Sequence, residues 1–559
     1  MKKIHLLLLS ILSGILLWLS WTPAGFPFIS FIAFVPLLFV SQHLKEKNVR
    51  FPFWQGMKYA YIAFLIWNVA TTWWIWNITP EGSIATFVLN TLFMSMVFGA
   101  WQRFRTMDIP ESASALAFVA FWCSWEFLHL NWDITWPWLH LGNVFATCTE
   151  YVQWYEITGA FGGTLWILIS NFLIFYILKN IKENRKKSWI FSGVVIAWIA
   201  IPMVGSIIRY STYTLPQADA KNSLEAVIVQ QNTDPVDEQY RMSNLSHARR
   251  ILSVAETKIT DKTQLVVCAE TAIPWSVEYN AVTTKQYPVF DDGFMPETYS
   301  GLQKIDSFVG VHKNLNMIVG LSTERFYDHK ATLTAHKIGK RTIYVDSYNT
   351  AVCYNQKGSK QTYHKSKLVP GVEKMPYPKV LGFLEELAID LGGTSGSLAT
   401  DTLQRAFTLT GTDIKIGTPI CYESAYGEHF GKFVKNGAQL MCVITNDGWW
   451  DDSPGHKQHF LMSKLRAVES RRTILRAANT GISAFIDERG DSHQQTKYNT
   501  RTAIRQTVCS NDVLTFYVKH GDYIARIAVI ITLLLILYKI YWRIRVNRLR
   551  KQSPQSNEL

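Results

Sequence analysis

Cysteine is scarce in this sequence and forms no recognisable motif. The chain has seven cysteines in 559 residues, with no CxxC pair and no zinc-like spacing to histidine. The odd number leaves at least one thiol unpaired, so a disulfide framework is not indicated. Most of the seven are expected to be small buried hydrophobic residues. The sequence therefore gives no grounds for a metal site or a metal cofactor.

Most of the chain also lacks a charge surplus, although its net charge is +13. Short basic segments hold 18 Lys and Arg against five Asp and Glu, which equals the whole surplus. They are residues 1–4, 43–52, 102–111, 179–187 and 539–559. These segments flank apolar stretches and contain no recognised nucleic-acid motif, so nucleic acid is not expected as a partner.

What the sequence does have is apolar runs long enough to cross about 30 Å of hydrocarbon. Eight runs are predicted, at residues 5–22, 27–42, 53–77, 83–101, 112–129, 158–178, 188–208 and 523–542. The first follows Lys2 and Lys3, as in a signal peptide, but no A-x-A site follows it. Trp18 and Trp21 mark a membrane interface there, so this run is interpreted as a retained helix.

The orientation of these spans follows from the distribution of Lys and Arg. If the spans alternate, all five basic segments lie on one side, whereas loops 23–26, 78–82 and 130–157 contain no Lys or Arg. Tryptophans gather on the opposite side: Trp73, Trp74, Trp76, Trp132, Trp136 and Trp138. Both termini are therefore predicted to be cytoplasmic, and residues 210–521 to lie outside the cytoplasm.

Two ionisable residues fall inside predicted spans, where a charge is costly. Lys58 lies near the start of its helix and is expected to extend its ammonium to the cytoplasmic surface. Glu126 lies near the outer end of its helix, where it could make a helix-packing or lipid-headgroup contact.

From about residue 222 the pattern changes to short β-branched runs separated by helical or turn segments. Predicted strands are Ala226 to Gln231, Leu265 to Cys268, Met317 to Leu321, Ala351 to Tyr354, Ile414 to Gly417, Met441 to Thr445 and Ser483 to Asp487. Buried strands with helices between them favour a layered α/β domain.

Three segments in this region place reactive side chains at strand ends or in loops, where a rigid scaffold can present them. Glu270 and Cys421 each follow a predicted strand, and Lys365 lies in a loop. A thiol nucleophile needs a neighbouring base, a donor for the oxyanion and an acid for the leaving group. Glu, Lys and Cys can supply these roles, although each residue alone is more often a solvated charge or a core thiol.

Five local strings contain or follow these residues: Ala269-Glu-Thr-Ala, Lys365-Ser-Lys-Leu-Val-Pro, Cys421-Tyr-Glu, Asn446-Asp-Gly-Trp and Arg476-Ala-Ala-Asn-Thr-Gly. In these strings the chain resembles the nitrilase superfamily and, within it, the apolipoprotein N-acyltransferase family. Trp136-Pro-Trp-Leu-His-Leu-Gly resembles a signature of the membrane half. The resemblance covers nearly the whole chain.

The resemblance implies roles for individual residues. Glu270 is the expected general base, Lys365 the charge stabiliser and Cys421 the nucleophile. Supporting site residues are Tyr422, with a backbone N–H for the oxyanion, the acidic Glu423 and Glu373, and the aromatic Trp449.

The chain departs from the family pattern at three places. Ala269 stands before the base where the family often has Pro, and Gly371-Val372 follows the lysine motif where Phe-Gly is usual. The loop from Asn232 to Tyr240 lacks the usual tryptophan, which puts a lid contact there in question.

The family's architecture is a membrane α-helical bundle with an αββα nitrilase-like sandwich. For this chain, the family's architecture implies a seven-helix transmembrane bundle at residues 1–210 and an outward-facing catalytic domain at 222–512. It also implies a final transmembrane span at 523–542 and a basic cytoplasmic tail at 543–559. The location implied is the bacterial inner membrane, with a periplasmic catalytic domain.

The implied reaction moves an acyl chain from a phospholipid to Cys421 and then to the α-amine of a diacylglyceryl apolipoprotein. Membrane lipids are the other expected partners, and no cofactor is required. A membrane-tethered amidase that hydrolyses small C–N substrates is one alternative. A transporter or structural membrane protein with an inert outer domain is another.

Overall fold

The structure is a computed structural model that describes residues 1–107, 109–181, 185–219, 221–274, 295–337, 343–358, 360–381 and 397–552. Its main helices are α1 Lys3–Leu19, α2 Val35–Glu46, α3 Pro52–Thr72, α4 Pro80–Phe104, α5 Glu111–Asn131, α6 Ala160–Asn180, α7 Arg185–Thr212, α8 Asn244–Glu256, α9 Met295–Val311, α10 Gly427–Lys435, α11 Pro454–Ser470 and α12 Tyr523–Gln552. Every predicted span coincides with helical structure.

Six helical segments are long and apolar enough to cross a membrane. They are Pro27–Glu46, Pro80–Phe104, Glu111–Asn131, Ala160–Asn180, Ser188–Thr212 and Tyr523–Val546. The other two predicted spans correspond to α1, which has 17 residues, and to α3, which includes Lys58 and Asn68. The membrane-helix prediction is thus confirmed for six segments, and spanning by α1 and α3 stays a prediction.

The two ionisable residues inside the predicted spans have different surroundings. Lys58 is exposed, with its ammonium 5.7 Å from the ring centroid of Tyr59. Glu126 is buried and accepts hydrogen bonds from the Leu141 N–H at 2.8 Å and from the Thr164 hydroxyl at 2.8 Å. Glu126 therefore ties α5 to α6 and to the loop between them, which makes it a helix-packing residue.

The α/β domain contains two β-sheets. Its strands are β1 Ser223–Gln230, β2 Thr263–Val267, β3 Asn316–Tyr327, β4 His336–Lys337, β5 Tyr344–Asn355, β6 Lys360–His364, β7 Ala406–Thr408, β8 Lys415–Gly417, β9 Leu440–Thr445, β10 Ile474–Ala478, β11 Ala484–Ile486, β12 Ser492–His493 and β13 Thr502–Cys509. One sheet has the order β13-β1-β2-β3-β5-β4, with β6 paired to β5. The other has the order β12-β11-β10-β9-β8-β7.

The strand periodicity sorts side chains into two apolar layers. In β1, Ala226 and Ile228 face the core between the two sheets, whereas Val227 and Val229 face the core shared with α8 and α9. Helices α10 and α11 contribute Phe433 and other side chains to the far side of the second sheet. The domain is thus the predicted αββα sandwich.

Six strands of the described residues were not predicted from the sequence: β4, β6, β7, β10, β12 and β13. β13 and β10 are the two that bear on the sheet edge and on the site. β13 carries Thr502, Arg505 and Gln506 among its residues and pairs along the sheet edge with β1, so its apolar content is low. β10 begins at Ile474 and includes the Arg476 string, which the sequence analysis used only as a motif.

The α/β domain packs on the ends of α1, α3 and α5. The Gln458 side-chain amide on α11 donates to the Thr22 and Thr71 carbonyls at 3.1 Å each, and the Trp74 indole N–H donates to Gln458 at 3.2 Å. The Lys367 ammonium donates to the Leu130 carbonyl at the end of α5. The contacted positions of the bundle lie outside the five basic segments.

Candidate active site

The three predicted catalytic residues come from different strand ends of the two sheets. Glu270 follows β2, Lys365 follows β6 and Cys421 follows β8. The Lys365 ammonium lies 3.2 Å from a Glu270 carboxylate oxygen and 2.8 Å from Glu373. Lys365 is almost completely buried, so these two carboxylates are its charge partners. Burial alone would lower the pKa of Lys365, but Glu270 and Glu373 raise it well above its ordinary value, and the ammonium stays charged.

Two amide groups orient the Glu270 carboxylate. The Asn349 side-chain amide donates to one oxygen at 2.7 Å, and the Asn446 backbone N–H donates to the other at 2.8 Å. The Asn349 amide also lies 3.3 Å from Glu373. Asn349 was not among the predicted site residues, because it lies inside β5 with no distinctive neighbours in the sequence.

Cys421 stands at a strained position with its thiol protonated. Its φ of 50° lies in the left-handed region, which costs a non-glycine residue about 1–3 kcal/mol. Burial and the charge of Glu270 raise the pKa of Cys421 well above its usual value, although Lys365 acts in the opposite direction. A protonated thiol beside a carboxylate requires that the carboxylate take its proton before the sulfur can attack.

Glu373 and Glu423 occupy different positions relative to this cluster. Glu373 faces Lys365 directly and also accepts the Val369 N–H at 2.8 Å. Glu423 is fully buried beneath the site, where its carboxylate accepts the Ser366 N–H at 2.8 Å and the Ile420 N–H at 2.8 Å. Glu423 therefore joins the loop of the catalytic lysine to the turn of the nucleophile.

The environment of Glu423 holds it in the ionised form. Burial would raise its pKa, but His429 at 3.0 Å, the Ile420 N–H and the Tyr363 hydroxyl at 2.6 Å lower the pKa of Glu423 to about 2. An ionised carboxylate with donors on both oxygens acts as an acceptor for the surrounding loops.

Tyr422 has its backbone beside the nucleophile and its side chain on the membrane bundle. Its hydroxyl donates to the Thr135 carbonyl at 2.8 Å. Within the described part of the chain no acceptor receives the Tyr422 N–H. That N–H is therefore available to an oxyanion formed at Cys421.

Trp449 and Trp450 lie on opposite sides of the same short helical segment. Trp449 is 39% exposed, whereas Trp450 is buried with ring-centroid distances of 5.1 Å to Trp74 and 5.5 Å to Trp138. Trp450 thus belongs to the aromatic contact between the domain and the bundle, and Trp449 is the ring that a ligand could reach.

The loop from Asn232 to Tyr240 is held close to the base despite its missing tryptophan. The Asn479 side chain accepts the Thr233 N–H at 2.9 Å and donates to the Thr233 carbonyl at 2.7 Å. The Asn446 side-chain amide donates to the Gln239 side-chain oxygen at 2.9 Å. Tyr240 is half exposed, and partial burial together with the charge of Glu270 raises its pKa. This loop therefore supplies a tyrosine near Glu270.

A buried polar chain adjoins the nucleophile and was not predicted. The Arg476 guanidinium donates to Asp447 at 2.7 Å, and the other oxygen of Asp447 lies 3.0 Å from His459 Nδ1. His459 Nε2 lies 3.1 Å from the Cys421 carbonyl oxygen. Asp447 and Arg476 occur in two of the strings that carry the family resemblance, but nothing in the sequence linked His459 to them.

The described residues contain no group of three or more His, Cys, Asp or Glu side chains placed to hold a metal ion.

Two family models match the chain in separate parts. The apolipoprotein N-acyltransferase N-terminal domain matches residues 13–173, and the carbon-nitrogen hydrolase domain matches residues 226–513, which is more than half of the chain. The first match covers most of the helical bundle, and the second covers the αββα sandwich with Glu270, Lys365 and Cys421.

Individual proteins are similar over nearly the full length. An apolipoprotein N-acyltransferase from Chlorobaculum tepidum is 26% identical over 527 residues, which are 93% of each chain. One from Geobacter metallireducens is 25% identical over 528 residues, covering 93% of this chain and 92% of the relative. Saccharomyces cerevisiae Nit3, a solved nitrilase-superfamily structure, is 15% identical with a TM-score of 0.36, over 52% of this chain and 90% of its own. The two family models and the two relatives of nearly full length show that the chain belongs to the apolipoprotein N-acyltransferase family of the nitrilase superfamily.

Proposed function

We propose that this protein transfers an acyl chain from a membrane phospholipid to the α-amine of the diacylglyceryl-cysteine of apolipoproteins, through a thioester on Cys421. The observation that carries the proposal is the contact of Lys365 with Glu270 and Glu373 beside the Cys421 thiol, at the junction with the membrane bundle. Family membership supports the same activity.

In the first half-reaction Glu270 takes the Cys421 proton, and the sulfur attacks the ester carbonyl of the phospholipid. The Tyr422 N–H and the Lys365 ammonium stabilise the oxyanion. When the tetrahedral intermediate collapses, the ester C–O bond breaks and Glu270 returns the proton to the leaving lysophospholipid. The products are an acyl thioester and a lysophospholipid.

In the second half-reaction the lipoprotein amine attacks the thioester carbonyl. Glu270 takes a proton from the amine, the same donors stabilise the second oxyanion, and the C–S bond breaks. The amide product leaves, and Cys421 regains its proton from Glu270. No step needs a metal or an organic cofactor.

The orientation proposed is a periplasmic α/β domain with both termini in the cytoplasm of a bacterial inner membrane. The one-sided basic segments support it, as does the packing of the domain on the ends of α1, α3 and α5. Both substrates are anchored in the membrane, and this orientation places the site at the outer leaflet.

The test is whether the thioester accumulates. Purified protein is given phospholipid without acceptor, and intact-protein mass spectrometry should detect the added acyl mass at Cys421. Neutral hydroxylamine should remove it, and a diacylated lipopeptide should discharge it with recovery of an N-terminal amide. A Cys421→Ala variant is the matched control and should gain no mass.

The opposite result has a clear meaning. Continuous release of free fatty acid, without a stable thioester and without transfer to the lipopeptide, would identify a membrane-tethered hydrolase instead. An apolar environment that excludes water is what a transferase needs at this stage. Trp74, Trp138 and Trp450 belong to one buried apolar cluster that also contains Tyr422, the residue after the nucleophile.

A further inference from the structure

We propose that His459, held by Asp447 and Arg476, is a positioning residue that fixes the peptide plane between Cys421 and Tyr422 and so directs the Tyr422 N–H at the oxyanion. The inference rests on the proposed function, because it concerns the oxyanion of both half-reactions. It assigns a role to a histidine that no motif in the sequence marks.

The directions of the Cys421 carbonyl and the Tyr422 N–H are coupled through one peptide group. The Cys421 carbonyl and the Tyr422 N–H belong to the same planar unit, and in a trans peptide they point in opposite directions. Whatever fixes the carbonyl oxygen therefore also fixes the N–H. A rotation of this plane would turn the N–H away from the sulfur and leave the oxyanion without that donor.

The local backbone conformation gives this plane little support of its own. Cys421 has a φ of 50°, a conformation that L residues rarely adopt and that persists only when surrounding contacts enforce it. Outside contacts must therefore hold the turn in its active form.

Two side chains provide those contacts at the Cys421 carbonyl oxygen. The Ser424 hydroxyl donates to it at 2.8 Å, and His459 Nε2 lies 3.1 Å from it. Ser424 Oγ and His459 Nε2 are themselves 2.9 Å apart. Carbonyl, hydroxyl and imidazole thus form a closed triangle behind the nucleophile.

His459 is in turn held from its other nitrogen. His459 Nδ1 lies 3.0 Å from Asp447, which also accepts the Arg476 guanidinium at 2.7 Å and the Thr445 hydroxyl at 2.7 Å. His459, Asp447 and Arg476 are all fully buried. A buried network with these partners holds each member in one arrangement.

The ring is also confined by the aromatic contact with the bundle. Its centroid lies 5.7 Å from that of Trp138 and 5.5 Å from that of Trp450, both in edge contact. Trp138 belongs to the membrane half of the chain. His459 therefore links the correct docking of the domain on the bundle to the geometry at the nucleophile.

The experiment compares three variants of the full-length protein in detergent. His459→Leu removes both ring nitrogens, whereas His459→Gln keeps an amide near the position of Nε2. His456→Leu is the matched control, because His456 lies on the same helix, is fully buried and pairs with Asp452 at 3.1 Å, away from Cys421. Each variant is assayed for thioester formation and for aminolysis by the lipopeptide.

For His459→Leu both half-reactions should slow by about 10- to 100-fold with the phospholipid KM unchanged, because oxyanion donors act on the transition state. His459→Gln should recover a large part of each rate. Alkylation of Cys421 by iodoacetamide passes through no oxyanion, so its rate should stay within about threefold of wild type in every variant. His456→Leu should leave all three rates near wild type.

Either of two outcomes for His459→Leu would overturn the inference. Near-normal rates of both half-reactions in folded His459→Leu would refute the role of His459. The proposed function would still stand in that case, because wild-type protein would still form the thioester. An equal loss of alkylation and acylation would assign His459 a general structural role instead. If His459→Leu does not fold, Ser424→Ala removes the other side chain in contact with the same carbonyl. That variant must show the same loss in both half-reactions with unchanged alkylation, and normal rates in it would refute the inference.

Discussion

Glu270 and Glu423 are both buried carboxylates of the site, but their hydrogen-bond partners differ. Glu270 receives Lys365 and Asn349 on one oxygen and a single backbone N–H on the other, which leaves capacity for the thiol proton. Glu423 receives the Tyr363 hydroxyl and Ser366 groups on one oxygen, and its second oxygen takes a turn N–H. Glu270 lies at the nucleophile and can exchange a proton with it, whereas Glu423 lies between the loop of the lysine and the turn of the nucleophile and holds the two together.

Lys365 allows the sharpest test at the residue scale, because it neutralises two carboxylates at once. Lys365→Ala should abolish transfer and also destabilise the protein by about 3–5 kcal/mol, since Glu270 and Glu373 lose their counter-charge. Adding Glu373→Gln should restore part of the melting temperature and none of the activity. A Lys365→Ala protein with wild-type stability would contradict the role of Lys365 as the counter-charge of Glu270 and Glu373.

The matched comparisons for that prediction use other site and cysteine variants. Cys421→Ala and Glu270→Gln should abolish thioester formation with smaller changes in melting temperature. Cys442→Ala and Cys509→Ala should retain activity, because Cys442 lies in the β9 core and Cys509 at the end of β13, away from the nucleophile. Near-normal turnover by Cys421→Ala would contradict the nucleophile assignment.

At the scale of elements, α11 is the main connection between the α/β domain and the bundle. Its start at Gly455 packs on the Trp74 indole, and near its end Glu469 accepts the N–H of Ala160, the first residue of α6, at 3.1 Å. His459 on this helix contacts both Asp447 and the Cys421 carbonyl. A change in how α11 packs on the bundle would therefore move both contacts.

Gly455→Ala tests the docking of α11. A Cβ at this position would lie 2.6 Å from Trp74 Cδ2, so the indole or the helix must shift. Overpacking of this kind costs about 1–3 kcal/mol, and both the melting temperature and transfer activity should fall. At Gly431 on α10 the nearest atom to a new Cβ is 3.8 Å away, so Gly431→Ala is the control. The control should be neutral or more stable by about 0.5–1 kcal/mol.

Glu469 at the end of α11 predicts a pH dependence of stability. Burial, opposed by Arg466 and reinforced by Asp522, raises the pKa of Glu469 to about 7. Because the folded state binds this proton more tightly than the unfolded state, its contribution is full below about pH 4.5 and is lost as the pH rises through 7. Asp522 acts in the same direction, since burial and Glu428 raise its pKa to about 6.

The measurement is the melting temperature of Glu469→Gln and of wild type in detergent between pH 5.5 and 8. The amide cannot ionise, so the variant should gain about 1–3 kcal/mol relative to wild type as the pH rises across this range. Parallel curves for the two proteins would show that Glu469 does not titrate in the folded state.

For the whole molecule, the orientation in the membrane decides which lipids and proteins can reach Cys421. Lys47 lies in a basic segment between α2 and α3, and Lys330 lies in the α/β domain; both are exposed. In a background without Cys148, Cys421 and Cys509, a cysteine at position 330 should react with an impermeant thiol reagent in intact cells. A cysteine at position 47 should react only after the membrane is made permeable.

The same experiment applies to positions 184 and 555, which lie outside the described residues and are predicted to be protected. Reaction at position 47 in intact cells would reverse the orientation and remove the site from the outer leaflet. The proposed substrates would then be unable to reach it.

Several features could be predicted because they depend on local sequence. The run at residues 160–180 is apolar over the full thickness of a membrane, and this property is independent of the rest of the fold. Alternate residues of β1 belong to two apolar layers because the side-chain period of a strand is two. The strings around Glu270, Lys365 and Cys421 are local as well, and they led to the family.

Tertiary structure alone decided which groups act together. Asn349 meets Glu270 across 79 positions in sequence, and His459 meets the Cys421 carbonyl across 38, so no local pattern contains either pair. Glu423 appeared to be an equivalent acidic site residue until its donors were visible. A buried polar group loses its water and must bond to the protein groups around it, so those groups decide its role. Only the packing of distant segments brings them to it.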